Sequence, residues 1–101
     1  MRGTAFVTGY GIGASVAGTV NSQLLHAADW LPTLVGLGGG TVAGKTLPLD
    51  GMDQWEVISR PNVETQRTEV VYGHEAASVN AGIRIGDWKV SIVLSHQVTA
   101  V

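Results

Sequence analysis

Apolar residues recur along this chain in short runs broken by glycine, so every element they predict is short. Residues 4–8 carry Ala5, Phe6 and Val7 in succession, the pattern of a strand buried on both faces. Residues 10–19 are rich in Gly and Ala and read as a connector, and residues 20–28 fit extended chain or helix equally. From Asp29 the period becomes helical. Asp29 is placed to act as an N-cap, its carboxylate accepting from the free N–H groups of the first turn. Pro32 then falls inside that turn, where its missing N–H costs nothing. Leu31, Leu34 and Val35 form the expected buried stripe, and Gly36, Gly38, Gly39 and Gly40 stop the helix. A longer helix from Ser22, kinked at Pro32, is disfavoured because an interior proline costs about 3 kcal/mol.

Residues 38–51 read as a loop with Pro48 and the turn pair Asp50-Gly51. Asp53 and Glu56 have capping-box spacing and open a short helix, with Met52, Trp55 and Ile58 on its buried side. Residues 60–66 make a polar linker containing Pro61. Residues 68–72 then read as a strand. Residues 83–93 form a hairpin: Ile83 and Ile85 flank Arg84, Trp88 and Val90 flank Lys89, and Gly86-Asp87 supplies the two-residue turn. The pattern is mixed α/β, with strand, helix and helix in residues 1–60 and a small antiparallel β region in residues 61–101.

Composition narrows the function. At 101 residues the chain holds at most one small domain or parts of two. Only 14% of residues are charged and the net charge is −2, which excludes the clustered cations of a nucleic-acid surface. No apolar run reaches the roughly 20 residues of a membrane span, and the N-terminus lacks the apolar core of a signal peptide. The sequence contains no cysteine, so disulfides, thiolate metal sites and cysteine-derived nucleophiles are excluded. Trp30, Trp55 and Trp88 each accompany an apolar pattern and are expected to anchor the core.

Two glycine runs resemble phosphate-binding loops. Val7-Thr8-Gly9-Tyr10-Gly11-Ile12-Gly13-Ala14 contains a G-x-G-x-x-A match after the first predicted strand, as in dinucleotide sites. Its weakness is the poor helix that follows. Gly39-Gly40-Thr41-Val42-Ala43-Gly44-Lys45-Thr46 satisfies the P-loop pattern, but a helix precedes it and Pro48 follows it. Connector and surface-loop roles explain both runs more simply; nucleotide binding through Gly9–Ala14 or Gly39–Thr46 is the alternative. His26, His74 and His96 have no metal-ligand spacing, and no serine sits in a nucleophile elbow. Local caps and turns account for Asp29, Asp50, Asp53 and Asp87.

Four segments, in order, carry a family resemblance. His26-Ala27-Ala28-Asp29-Trp30-Leu31-Pro32-Thr33-Leu34 resembles a D-x-x-P-T-L segment that begins a helix late in the large domain of type I sulfatases, especially the arylsulfatase B-like group. Leu49-Asp50-Gly51-Met52-Asp53 resembles the D-G turn that follows it there. Residues 67–72 resemble the strand leading into the smaller C-terminal subdomain, and Ile83-Arg84-Ile85-Gly86-Asp87-Trp88-Lys89-Val90 resembles its R-x-G-x-W-K hairpin. Residues 91–101 depart from the family's continuation.

The resemblance implies a fragment of an alkaline-phosphatase-like α/β fold: the end of the catalytic domain in residues 1–60 and the start of the C-terminal subdomain in residues 61–101. For the full-length family it implies sulfuric ester hydrolysis of sulfate esters or sulfated glycans, in a lysosomal or secreted setting. It also implies a formylglycine nucleophile made from the cysteine of a C-x-P-S-R motif, a calcium ion held by Asp and Asn, and Lys and His groups that stabilise and protonate. None of these residues can be placed here, so no catalytic, cofactor-binding or metal residue is carried over. The expectation is a chain inactive alone. The competing class is a non-catalytic interaction domain, in which unpaired sheet edges invite self-association.

Overall fold

A computed structural model of the chain describes residues 3–42, 48–75 and 80–92, with the side chains of residues 74, 75 and 80 left undescribed. Two compact units divide it, Met1–Thr65 and Gln66–Val101. The first carries a 3₁₀ turn at Ala27–Asp29 that runs into α1, Trp30–Leu37, and a short α2, Trp55–Ser59. The second is an antiparallel three-stranded sheet in the order β1 (Glu69–Glu75), β2 (Asn80–Ile85), β3 (Trp88–Ile92). Helices followed by antiparallel strands make this a mixed α/β chain.

The expected first strand does not form. Residues 3–8 have no regular structure, and Phe6 is 87% exposed. A strand apolar on both faces needs a neighbour on each side, and the described residues supply none.

Helix α1 begins where the sequence places it, but the cap is one turn earlier. His26 is the N-cap: its Nδ1 accepts from the Ala28 N–H at 3.1 Å, while the His26 N–H donates to Asp29 Oδ2 at 2.8 Å. This reciprocal pair is a capping box, in which Asp29 holds the position usually given to Glu or Gln. Asp29 therefore makes no side-chain cap to α1 itself. The helix ends in a Schellman motif, with Gly40 N–H donating to Val35 O at 2.9 Å and Gly39 N–H to Gly36 O at 3.0 Å. Gly39 takes φ 74°, where a Cβ would be strained.

The buried face of α1 also differs from expectation. Leu31 and Leu34 are exposed, at 55% and 59%, and Pro32 and Thr33 are buried instead. Asp29, Pro32, Thr33 and Gly36 have the same helical spacing as the leucines, rotated by part of a turn. They face residues 51–54. Gly51 lies so close to the Ala28 carbonyl that a Cβ there would collide with its oxygen, and Gly36 packs against the Asp53 carboxylate. Gly51 is thus required for close approach. Its φ is not positive, so the Asp50-Gly51 pair is not the left-handed turn its composition suggests.

Helix α2 is opened by an Asx-type contact: Asp53 Oδ1 accepts from the Trp55 N–H at 2.9 Å. The expected capping box is absent, because Glu56 turns outward to an exposed ion pair with Arg60 at 3.2 Å. Val57 is the buried apolar residue of α2, while Met52 is exposed and Trp55 and Ile58 are half-buried.

In the second unit the hairpin forms as expected. Ile85 pairs with Trp88 across the Gly86-Asp87 turn, and Gly86 takes φ 55° as the first turn position demands. The β1 strand extends beyond the predicted residues 68–72 and carries an irregularity between Tyr72 and Glu75, where Gly73 takes φ 65°. Of the strand expected to continue from β3, Ser91 and Ile92 belong to β3, and residues 93–101 lie outside the described residues.

Candidate functional site

The best-built polar centre of the first unit joins Asp29, Thr33, Gln54 and Thr65. Asp29 is 2% exposed and Thr33 1%. The Asp29 carboxylate takes one backbone N–H per oxygen: His26 on Oδ2 and Met52 on Oδ1 at 2.9 Å. The second of these ties residues 23 positions apart. Thr33 Oγ1 donates to Asp29 O at 2.6 Å and accepts from the Gln54 N–H at 2.9 Å, a second tie between the same two segments. Gln54 Oε1 accepts from Thr65 Oγ1 at 3.1 Å, and Gln23 Oε1 accepts from the Thr65 N–H at 3.0 Å. Asn21 Nδ2 donates to Val57 O at 2.7 Å, tethering the preceding coil to α2.

All of these bonds except the side-chain pair Thr65–Gln54 satisfy a backbone group. Gln54 Nε2 is buried with no hydrogen-bond partner among the described residues. The arrangement clamps two loops. It presents no nucleophile beside a base and no converging ligand set. Among the described residues no group of three or more His, Asp or Glu could hold a metal ion.

A second polar cluster lies on one face of the sheet. Tyr72 pairs with Gly82, whose missing side chain leaves room for the phenol ring to lie across it. The Tyr72 hydroxyl hydrogen-bonds Ser91 Oγ at 2.9 Å, and Lys89 Nζ stands 4.9 Å from the ring centroid. The Ser91 hydrogen bond, joined by the Lys89 charge, pulls the phenol below its ordinary value of 10.0. Arg84 Nε donates to Gly86 O at 2.8 Å, fixing the side chain on the turn.

Among the described residues, neither glycine run opens a helix. At Gly9 to Ala14 the chain makes turns, with Ile12 N–H donating to Gly9 O and Val16 N–H to Gly13 O, and no helix follows. Gly11 instead gives close approach to the Trp55 ring. Gly39 and Gly40 close α1, the reverse of a P-loop, which opens a helix. Residues 43–47 of that run lie outside the described residues. His26 is the cap described above, the His74 side chain and His96 lie outside the described set, and Trp88 is 80% exposed. Trp30 is also exposed. Neither tryptophan is the core anchor its apolar neighbours suggest: both are exposed among the described residues.

Thr33 and Gln54 were not legible as key residues. The available signal was the pair of polar residues, Asp29 and Thr33, one helical turn apart beside Pro32.

No protein-family model matches the chain. Among curated proteins, it is 33% identical to Arylsulfatase J of Mus musculus over 89 aligned residues, which cover 71% of this chain and 15% of that protein. The chain is sulfatase-related. It spans about 15% of the length of that curated relative. The relationship accords with the sulfatase resemblance of the sequence segments and goes no finer than that.

Proposed function

We propose that this chain is a piece of the supporting frame of a sulfuric ester hydrolase of the arylsulfatase type, and that it contributes none of the catalytic groups. The carrying observation is the similarity to an arylsulfatase in a sequence that has no cysteine. Without cysteine the chain has no precursor for formylglycine. Among the described residues no group of three or more His, Asp or Glu is available to a metal ion. Transition-state stabilisation at a transferring sulfate requires a preorganised nucleophile and cation. What this chain offers is positional: the Asp29–Thr33 clamp holds residues 51–54 against α1.

In a complete enzyme of this type the implied substrates are sulfate esters or sulfated glycans, the implied groups are calcium and formylglycine, and the implied setting is lysosomal or secreted. The finer arylsulfatase B-like kinship and the alkaline-phosphatase-like fold belong to the same proposal. The test is hydrolysis of p-nitrocatechol sulfate by the purified 101-residue chain with calcium added. No turnover above the buffer blank is expected, and steady turnover that co-purifies with the chain sinks the reading. Mapping the transcript upstream of Met1 addresses the family: an in-frame C-x-P-S-R there makes the chain part of a full enzyme.

A further inference from the structure

The pairing register brings a phenol, a hydroxyl and two cations to one face of the sheet. Residues directly opposite one another share a face. One row on this face is Tyr72, Gly82 and Ser91, and the next is Val70, Arg84 and Lys89. Gly82 has no side chain, and the Tyr72 hydroxyl and the ring carbons nearest it fill the space where one would stand. The ring thereby crosses the central strand and brings its hydroxyl within 2.9 Å of Ser91 Oγ on the far strand. Lys89 Nζ stands 4.9 Å from the ring centroid. Every charged residue in these two rows is a cation, and Tyr72 is only half-buried.

These surroundings activate the phenol. Its ionised oxygen can only accept hydrogen bonds, and the Ser91 hydroxyl is placed to donate one. A neighbouring cation favours the anion further. The Ser91 bond first, and then Lys89, pull the phenol below its ordinary value. A nucleophile that ionises more readily is more reactive near neutral pH, provided a reagent can reach it. We propose that Tyr72 is a site of covalent acylation, with Ser91 and Lys89 as the groups that activate it. The phenolate oxygen attacks the carbonyl carbon of an activated acyl donor. The bond from that carbon to the leaving atom breaks, and its electron pair departs with the leaving group. The phenol proton passes to solvent, and the leaving group takes one from solvent. The product is an aryl ester, with nothing oxidised or reduced. Ser91 and Lys89 act through the phenol oxygen and form no bond to the acyl group. The inference holds whether or not the chain is part of a sulfatase.

The chain carries its own control, because its other tyrosine, Tyr10, is fully exposed. The test is acetylation of the full chain by N-acetylimidazole near neutral pH, with each site followed by peptide mass spectrometry. Tyr72 is expected to react severalfold faster than Tyr10, although simple access favours Tyr10. Unfolding in urea is expected to equalise the two rates. Lys89→Gln and Ser91→Ala are each expected to slow Tyr72 and leave Tyr10 unchanged. Lys89→Arg keeps the cation and removes the competing amine, and Ser91→Thr keeps the hydroxyl; both are expected to retain the preference. Hydroxylamine, which cleaves aryl esters and spares amides, is expected to release the label. Tyr10 reacting as fast as Tyr72 in the folded chain overturns the inference. So does a preference that persists in urea, one that survives both Lys89→Gln and Ser91→Ala, or a label held on Lys89 as an amide in place of Tyr72.

Discussion

Thr33 offers the sharpest test of how the first unit is held. Its hydroxyl donates to Asp29 O at 2.6 Å and accepts from the Gln54 N–H at 2.9 Å, in a site that water does not reach. Thr33→Val keeps the volume and the β-branch but removes both bonds. The Gln54 N–H is then buried without an acceptor, which costs roughly 1–3 kcal/mol by itself. With the lost bond to Asp29 O, a destabilisation of about 2–3 kcal/mol is expected. Thr33→Ser keeps the hydroxyl and deletes one methyl, a loss of about 1 kcal/mol. The order is therefore wild type, then serine, then valine, the opposite of what side-chain apolarity predicts. Urea unfolding followed by tryptophan fluorescence measures it. At roughly 1 kcal/mol per molar for a chain this small, the valine variant shifts the midpoint by about 2–3 M. Amide exchange at Gln54 assigns the effect to this site, because valine removes the Thr33 hydroxyl that this amide donates to and serine does not. A valine variant as stable as the serine variant, or a Gln54 amide equally protected in both, would refute the clamp.

Other consequences are equally direct. Gly51→Ala drives a methyl into the Ala28 carbonyl, and a loss of about 2–4 kcal/mol or outright unfolding of the first unit is expected by circular dichroism. Asp29→Asn leaves one oxygen for two N–H donors, at a cost of about 2 kcal/mol or more, read as faster amide exchange at His26 or Met52. Gly82→Ala displaces the Tyr72 ring and breaks its bond to Ser91, which NMR of the Tyr72 ring detects. The Tyr72 phenol ionises below 10.0, and Ser91→Ala is expected to move it upward. As a folded-state value that is lowered, it adds stability only in alkaline solution: the contribution is full above pH 10.0 and disappears as pH falls through the folded value. Titration with NAD at millimolar concentration is expected to show no binding, since Gly9 to Ala14 leads into turns and not into a helix.

Much of the element order was legible, and the failures share one cause. The hairpin is local: alternating residues and Gly86-Asp87 contain all the information needed, and the strands pair as read. The start of α1 was legible for the same reason, through Asp29 and Pro32. Which face of α1 is buried was not. Burial was inferred from Leu31 and Leu34, but the interior of this unit is assembled around Asp29, Thr33 and Gln54, with Val57 as its buried hydrophobic residue. Binary patterning assumes an apolar core. Here distant backbone donors at Met52 and Gln54 determine the buried face, and nothing in a local window reveals them. The failed strand at residues 4–8 is the converse case: its apolar run was read correctly, but a strand requires partners that local sequence does not report.

The clamp also explains why spacing, and not chemistry, carried the family resemblance. Asp29 and Thr33 belong to the segment 26–34, and their backbone partners Met52 and Gln54 lie in or beside the segment 49–53. Asp29 can accept from Met52 only if Gly51 lets the loop press against Ala28, so Asp29, Thr33 and Gly51 are constrained together even though Gly51 lies 18 positions from Thr33 and 22 from Asp29. The hairpin segment obeys a similar logic. Gly86 supplies the positive φ, its N–H donates to Thr68 O at 2.9 Å, and its carbonyl receives Arg84. Residues fixed by such mutual geometry keep their order and separation without touching a substrate. A motif built this way marks a scaffold and not a reacting group.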